Sequence, residues 1–104
     1  MEFKMKLEKA KLITIIADEA LQDRLVSELK SLNVKGYTIS EAKGEGINHE
    51  HLTSWEGKNI RLESLVSEGK ALKIFQIISD KYLEKYPMVI FMNDVEVIRK
   101  ERFN

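Results

Sequence analysis

Two short apolar runs, one near each end of the chain, constrain its fold most. Leu12 to Ala17 and Met88 to Met92 are apolar at nearly every position, whereas a strand with one solvent-exposed face alternates apolar and polar side chains. Both runs are far shorter than the roughly 20 residues that cross a bilayer as a helix. They therefore predict strands whose two faces are both covered.

A leucine repeat predicts the first helix. Asp18 follows the first apolar run and is the type of residue that caps a helix N-terminus. The next leucines recur at spacings that place them on one helical face, at Leu21, Leu25, Leu29 and Leu32. We expect this helix to end near Asn33, with Gly36 supplying the turn.

A second apolar stripe predicts a second helix. Ser67 can cap its start. Its stripe consists of Ala71, Ile74, Phe75, Ile78 and Tyr82. Pro87 is expected to end the helix, because the residue before a proline is disfavoured in the α region.

Two more strands complete the predicted order. Tyr37 to about Ala42 alternates apolar and polar residues, and the segment NIRLESLVS offers Ile60, Leu62 and Leu65 as core candidates. The last strand is expected over Met88 to Ile98. The order β-α-β-β-α-β predicts an α+β, ferredoxin-like fold in which both helices cover one face of a four-stranded antiparallel sheet. We interpret residues 1–104 as one domain with a lead-in at 1–10.

The helix-free face of that sheet predicts an assembly. The two apolar runs need cover on both faces, and the helices cover only one. No segment remains to cover the other face, so we expect a homo-oligomer with the bare faces turned inward.

Charge and cysteine content exclude several classes of function. Lys plus Arg and Asp plus Glu number 17 each, so no overall field attracts nucleic acid or an anionic membrane. The chain has no cysteine, which excludes disulfides, zinc-thiolate sites and a thiol nucleophile and is compatible with a reducing cytoplasm. We expect a cytoplasmic protein that neither binds nucleic acid nor inserts into a membrane.

Several segments resemble a known family. GYTISEAKGEG is similar to the second strand and T-loop entrance of the PII signalling proteins of the GlnB-like superfamily. The stretch from Asn59 to Ile98 looks closer to the PII-like regulators of bicarbonate transporters (SbtB-like). The likeness covers roughly residues 11 to 103. It implies a homotrimer with nucleotide sites between subunits and a T-loop, here residues 43–58, that docks on a partner.

The resemblance also implies individual ligand contacts. Thr38 matches the family threonine near the nucleotide, and Leu65 falls where the third strand meets the adenine. Gly44 and Gly46 match the T-loop glycines, although on the residues alone they also fit an ordinary hairpin loop. Arg99 matches a family arginine that reaches the phosphates of the adjacent subunit's nucleotide.

One segment departs from the PII pattern and changes the expected ligand. The glycine-rich, lysine-bearing phosphate loop is replaced by EKYPMV, with Met88 at a glycine position within the nucleotide site and Val89 at the lysine position. Glu101 stands where a second arginine would be. Such a site should hold Mg-ATP poorly, so we expect AMP, ADP or cyclic AMP as a regulatory ligand and no further cofactor.

The T-loop offers candidate partner contacts in His49, His51 and Trp55. The expected partner is a membrane transporter, with bicarbonate as one candidate cargo, or an enzyme. The two histidines also leave open an alternative, a trimeric metal-binding or structural protein of the same fold, although two ligands make an incomplete metal site.

No arrangement of residues points to catalysis. No serine or cysteine nucleophile lies in a recognisable setting, and the carboxylates are spread over predicted helix surfaces. We therefore expect a protein that is not an enzyme. A third class, an RNA-binding ferredoxin-like module, would need exposed aromatic residues on central strands that are here mostly aliphatic.

Overall fold

The computed structural model describes residues 6–44 and 58–98 and confirms the predicted order of elements. The elements are β1 (Glu8–Asp18), α1 (Gln22–Ser31), β2 (Thr38–Ala42), β3 (Asn59–Val66), α2 (Glu68–Ile78) and β4 (Met88–Val97). The strands form one sheet in the order β2-β3-β1-β4, and every neighbouring pair is antiparallel. This is the ferredoxin-like α+β fold.

Strand β1 begins earlier than the sequence predicted. It starts at Glu8, inside the predicted lead-in at 1–10, so the last three residues of that lead-in belong to the sheet. The cause is pairing with β4, because Glu8 lies opposite Val97 and Ala10 opposite Val95.

The hydrophobic core lies between the sheet and the two helices. β1 contributes Ile13 and Ile15, both fully buried, and the paired positions on β3 and β4 continue this face of the sheet. The helices cover it with Leu25, Leu29, Ala71, Ile74 and Ile78. The predicted apolar stripes of both helices therefore face the core, with Leu32 and Phe75 only partly buried against it.

Both predicted helix caps are present. The Asp18 carboxylate accepts a hydrogen bond from the Ala20 amide at 2.8 Å and begins a 3₁₀ turn, Glu19–Leu21, that leads into α1. The Ser67 hydroxyl accepts from the Lys70 amide at 3.3 Å. Each bond satisfies a backbone donor that the first helical turn leaves without a partner.

Helix α1 ends near Asn33 as predicted, but the turn that follows is made by Asn33 itself and not by Gly36. Asn33, with φ of 64°, adopts the left-handed conformation, whereas Gly36 lies outside that region. The Asn33 amide bonds to the Lys30 carbonyl at 2.9 Å and the Val34 amide to the Leu29 carbonyl at 3.0 Å, which is the Schellman arrangement. Gly36 has another contact, because its carbonyl accepts a 2.6 Å hydrogen bond from the buried Ser64 hydroxyl.

Helix α2 ends well before Pro87. It gives way after Ile78 to a π-helical turn, Ser79–Leu83. The Tyr82 carbonyl then accepts from the amides of both Lys85 and Tyr86, at 3.0 and 2.9 Å. This turn closes the helix, so Pro87 follows an end that is already made.

The helix-free face of the sheet is largely apolar on β1 and β4. Val89 and Phe91 lie on this face and are 39% and 37% exposed. Leu65, predicted as a core candidate, is also here, because it pairs with Leu12 on the face opposite the helices.

Candidate functional site

Two of the predicted ligand contacts lie close together on the helix-free face. Thr38 on the edge strand β2 pairs with Glu63 of β3, and Leu65 follows Glu63 by two residues on the same face. Thr38 and Leu65 are therefore diagonal neighbours on adjacent strands, a separation of about 7–8 Å between positions. Thr38 is exposed and Leu65 half-buried.

Glu63 lies between these residues and was missed by the sequence reasoning. Its carboxylate accepts hydrogen bonds from the Thr14 hydroxyl and from Arg61 Nε, both at 3.2 Å. These bonds hold an acceptor group beside Thr38, where it can take a hydrogen bond from a ligand hydroxyl or amino group. The alternation of Arg61, Glu63 and Leu65 along β3 was the sequence signal that could have identified it.

Met88 does not share this face. It pairs with Ala17, and its side chain packs against the core beneath the helices. Its neighbour Val89 points to the helix-free face instead. A contact from Met88 to a ligand would have to come from its backbone, so its assignment to the nucleotide site remains a prediction.

The two halves of the predicted site lie at opposite edges of the sheet. Thr38 is on β2 and Met88 on β4, with β3 and β1 between them. Three strand spacings amount to about 14 Å. One chain therefore does not bring the β2 and β4 residues together.

The connection into β4 offers few backbone donors to an anion. The amides of Lys85 and Tyr86 are both bonded to the Tyr82 carbonyl, and Pro87 has no N–H group. A phosphate cradle is built from free backbone amides. The segment EKYPMV, which differs in sequence from the PII phosphate loop, therefore also offers few of the free amides that such a loop needs.

The base of the predicted T-loop is tied to the sheet. The Lys58 carbonyl accepts a 2.7 Å hydrogen bond from the Glu19 amide, and Lys58 Nζ lies 3.7 Å from the Glu41 carboxylate. Gly44, just after β2, is exposed and has open space where a side chain would lie. Five predicted contacts fall outside the described residues and stay predictions: Gly46, His49, His51, Trp55 and Arg99.

The concavity with a volume of about 670 Å³ lies elsewhere, between the start of α2 and the paired ends of β1 and β4. Lys11 and Asp94 form an ion pair within it, and the hydrogen bond from Lys11 lowers the pKa of the Asp94 carboxyl. These charges neutralise each other on the helix side of the sheet, away from Thr38 and Leu65.

Neither a metal cluster nor a membrane span is present in the described parts of the chain. Residues 6–44 and 58–98 contain no group of three or more histidine or acidic side chains placed to hold a metal ion. In the same ranges, neither helix is long and apolar enough to cross a membrane.

The family follows from a match over most of the chain. Residues 10–102 match the family model of nitrogen regulatory protein P-II, and the chain belongs to this family of regulatory proteins. Among curated proteins no match was found.

Solved structures of PII-like proteins are similar over nearly the whole chain. One from Thermus thermophilus, described as a PII-like signalling protein, is 45% identical, with a TM-score of 0.78 and coverage of 90% of this chain and 94% of that one. CPII from Thiomonas intermedia, bound to ADP, AMP and acetate, is 25% identical, with a TM-score of 0.78 and coverage of 91% and 94%. CPII bound to ADP, AMP and bicarbonate is also 25% identical, with a TM-score of 0.77 and coverage of 92% and 100%.

Proposed function

We propose that this protein is a cytoplasmic PII-like regulator that binds an adenine nucleotide between the subunits of a homotrimer. The observation that carries the proposal is the division of the predicted site between the two sheet edges. Thr38 and Leu65 lie at the β2 side and the β4 residues at the other. Two copies, placed with the β2 edge of one beside the β4 edge of the next, would complete it.

The helix-free face supports the trimeric assembly. Val89 and Phe91 are more than one-third exposed in the single chain, and Leu12 and Ile16 lie beside them on β1. Burial of apolar surface by a second copy is favourable at roughly 25 cal/mol per Å². Closed symmetry buries this face on every subunit and leaves no copy exposed.

AMP, ADP or cyclic AMP suits the described connection better than Mg-ATP. The amides of Lys85 and Tyr86 are already bonded, so the γ-phosphate that distinguishes ATP from ADP would add charge without finding further backbone donors there. ADP and AMP occupy CPII, and bicarbonate accompanies them in another of its structures. Bicarbonate is therefore a co-ligand worth adding to a titration of this protein.

The partner would be reached through residues 43–58. The hydrogen bond between Glu19 and Lys58 and the ion pair between Lys58 and Glu41 link this segment to the sheet. A ligand beside Thr38 could thereby influence the loop through β2 and β3. By resemblance, His49, His51 and Trp55 would contact a membrane transporter, such as one for bicarbonate, or an enzyme.

Isothermal titration with AMP, ADP, ATP and cyclic AMP, with and without Mg²⁺, tests the ligand. We expect micromolar binding that favours mono- or diphosphate over Mg-ATP and that weakens in Thr38→Asp and Arg99→Ala. Lys73→Ala removes an exposed cation from the outer side of α2 and should leave binding unchanged. No binding of any of the four nucleotides would overturn the proposal.

A metal titration of the same protein distinguishes the regulator from the alternative, a metal-binding protein. A metal-binding protein using His49 and His51 would bind Zn²⁺ or Cu²⁺ in a titration and lose that affinity when both are changed to alanine. Nucleotide binding that survives this double substitution would support the regulator instead.

A further inference from the structure

We propose that Arg24 is a positioning residue that holds the connection into β4 in place and thereby limits the binding affinity that a nucleotide can gain from additional phosphates. We call the contacts between Arg24 and Tyr86 the lock. This inference rests on the proposed nucleotide site. Arg24 Nη1 donates a 2.7 Å hydrogen bond to the Tyr86 hydroxyl. Its guanidinium carbon also lies 5.3 Å from the centre of the Tyr86 ring, within the range of a cation–π interaction.

A second contact from α1 holds the same turn. Glu28, one helical turn after Arg24, accepts a 2.9 Å hydrogen bond from the hydroxyl of the buried Tyr82. The rings of Tyr82 and Tyr86 pack with centres 5.9 Å apart. Helix α1 thus bonds to both tyrosines of the turn. The Tyr82 carbonyl in turn accepts hydrogen bonds from the amides of Lys85 and Tyr86.

The lock affects only those ligands that require the connection to move. Lys85 is exposed and is the only cation between Glu84 and Val89. Drawing Lys85 and the neighbouring amides toward β- and γ-phosphates would break the contacts of Tyr86 with Arg24. Part of the binding free energy that ATP gains from its β- and γ-phosphates would be lost in this way. AMP has no such phosphates and would leave the lock intact.

Removing the lock should therefore improve ATP binding relative to AMP. In Arg24→Met we expect the ratio of the ATP to the AMP association constant to rise by about fivefold or more, the size expected for loss of an exposed cation–π contact and one hydrogen bond. Tyr86→Phe keeps the ring and loses the hydrogen bond, so it should give a smaller rise. Arg24→Lys restores a cation over the ring and should return the ratio toward that of the wild type.

Lys30→Met is the matched control. Lys30 is an exposed cation on the same helix as Arg24, six residues further along, and its side chain is not bonded to Glu28, Tyr82 or Tyr86. Its removal changes the local charge by the same amount. The ratio should stay at the wild-type value if the lock, rather than the charge, sets it.

Amide hydrogen exchange of the ligand-free protein supplies a second readout. Lys85 and Tyr86 should exchange faster in Arg24→Met than in the wild type or in Lys30→Met. Faster exchange together with a raised ratio supports the inference. An unchanged ratio in a variant that binds AMP normally would overturn the inference and leave the proposed function standing, whereas a wild type that binds neither nucleotide would overturn both.

Discussion

At the residue scale, the buried hydroxyl of Tyr82 makes the stability of the fold depend on pH. The side chain is 5% exposed and donates a hydrogen bond to Glu28. Burial, followed by this bond to a carboxylate, raises the pKa of the Tyr82 hydroxyl from 10.0 to about 12. The folded state therefore holds the phenolic proton more tightly than the unfolded state does.

This pKa predicts an alkaline loss of stability. The protonated Tyr82 hydroxyl contributes to the free energy of unfolding. This contribution is fully present below pH 10 and is lost as the pH rises toward about 12, because the unfolded chain releases the proton first. Urea unfolding at several alkaline pH values should show a flatter decline in Tyr82→Phe than in the wild type. Tyr37→Phe, which alters an exposed tyrosine, is the control, and equal slopes for both variants would contradict the prediction.

The individual site residues were only partly predictable. The place of Thr38 and Leu65 on one face follows from strand alternation once β2 and β3 are known to pair in this register. The same alternation could have placed Glu63 on this face, but its hydrogen bond with Thr14, 49 positions away along the chain, could not be predicted. The orientation of Met88 toward the core depends on its register with Ala17, and this register is not visible in a local pattern.

At the scale of elements, the end of α1 illustrates a competition between two candidate residues. Gly36 was the expected turn residue because glycine tolerates positive φ. Asn33 takes that conformation instead, and it can do so because asparagine is the next most tolerant residue in this region. A turn at Asn33 allows the Val34 amide to donate to the Leu29 carbonyl and the Val34 side chain to pack in the core.

Substitution of Asn33 tests this assignment. Asn33→Ala should lower the free energy of unfolding by about 1 kcal/mol, because alanine is strained in the left-handed region. Asn33→Gly should be neutral or slightly stabilising. Urea denaturation of the two variants checks the prediction, and an equal loss of stability in both would show that φ is not the cause.

The six main elements were predictable because each has a strong local pattern. Leucine spacing in α1, the apolar stripe of α2 and the apolar runs of β1 and β4 all match their structures. The first three residues of β1 and the π-helical turn after Ile78 were not predictable. Both are in contact with distant segments, because the first three residues of β1 pair with β4 and Tyr82 of the turn bonds to Glu28 of α1.

At the scale of the whole molecule, the half-exposed apolar face predicts how assembly can be disrupted. Phe91 lies on the helix-free face and is 37% exposed. In Phe91→Asp, a buried charge would oppose association, so light scattering should show the mass of one chain and circular dichroism a folded protein. Leu72→Asp, at an exposed position on α2, should remain trimeric, and a trimeric Phe91→Asp would contradict the assignment of this face.

The central claim is that each ligand site is shared by two subunits, and mixing two defective variants tests it most directly. In the proposed site, Thr38→Asp should damage the half contributed by β2, and Arg99→Ala the half contributed by the neighbouring subunit. Each variant alone should bind AMP poorly, whereas a refolded one-to-one mixture should recover roughly a quarter of the sites, since one in four neighbouring pairs then joins two intact halves. A mixture that binds no more AMP than the two variants measured separately would contradict the shared site.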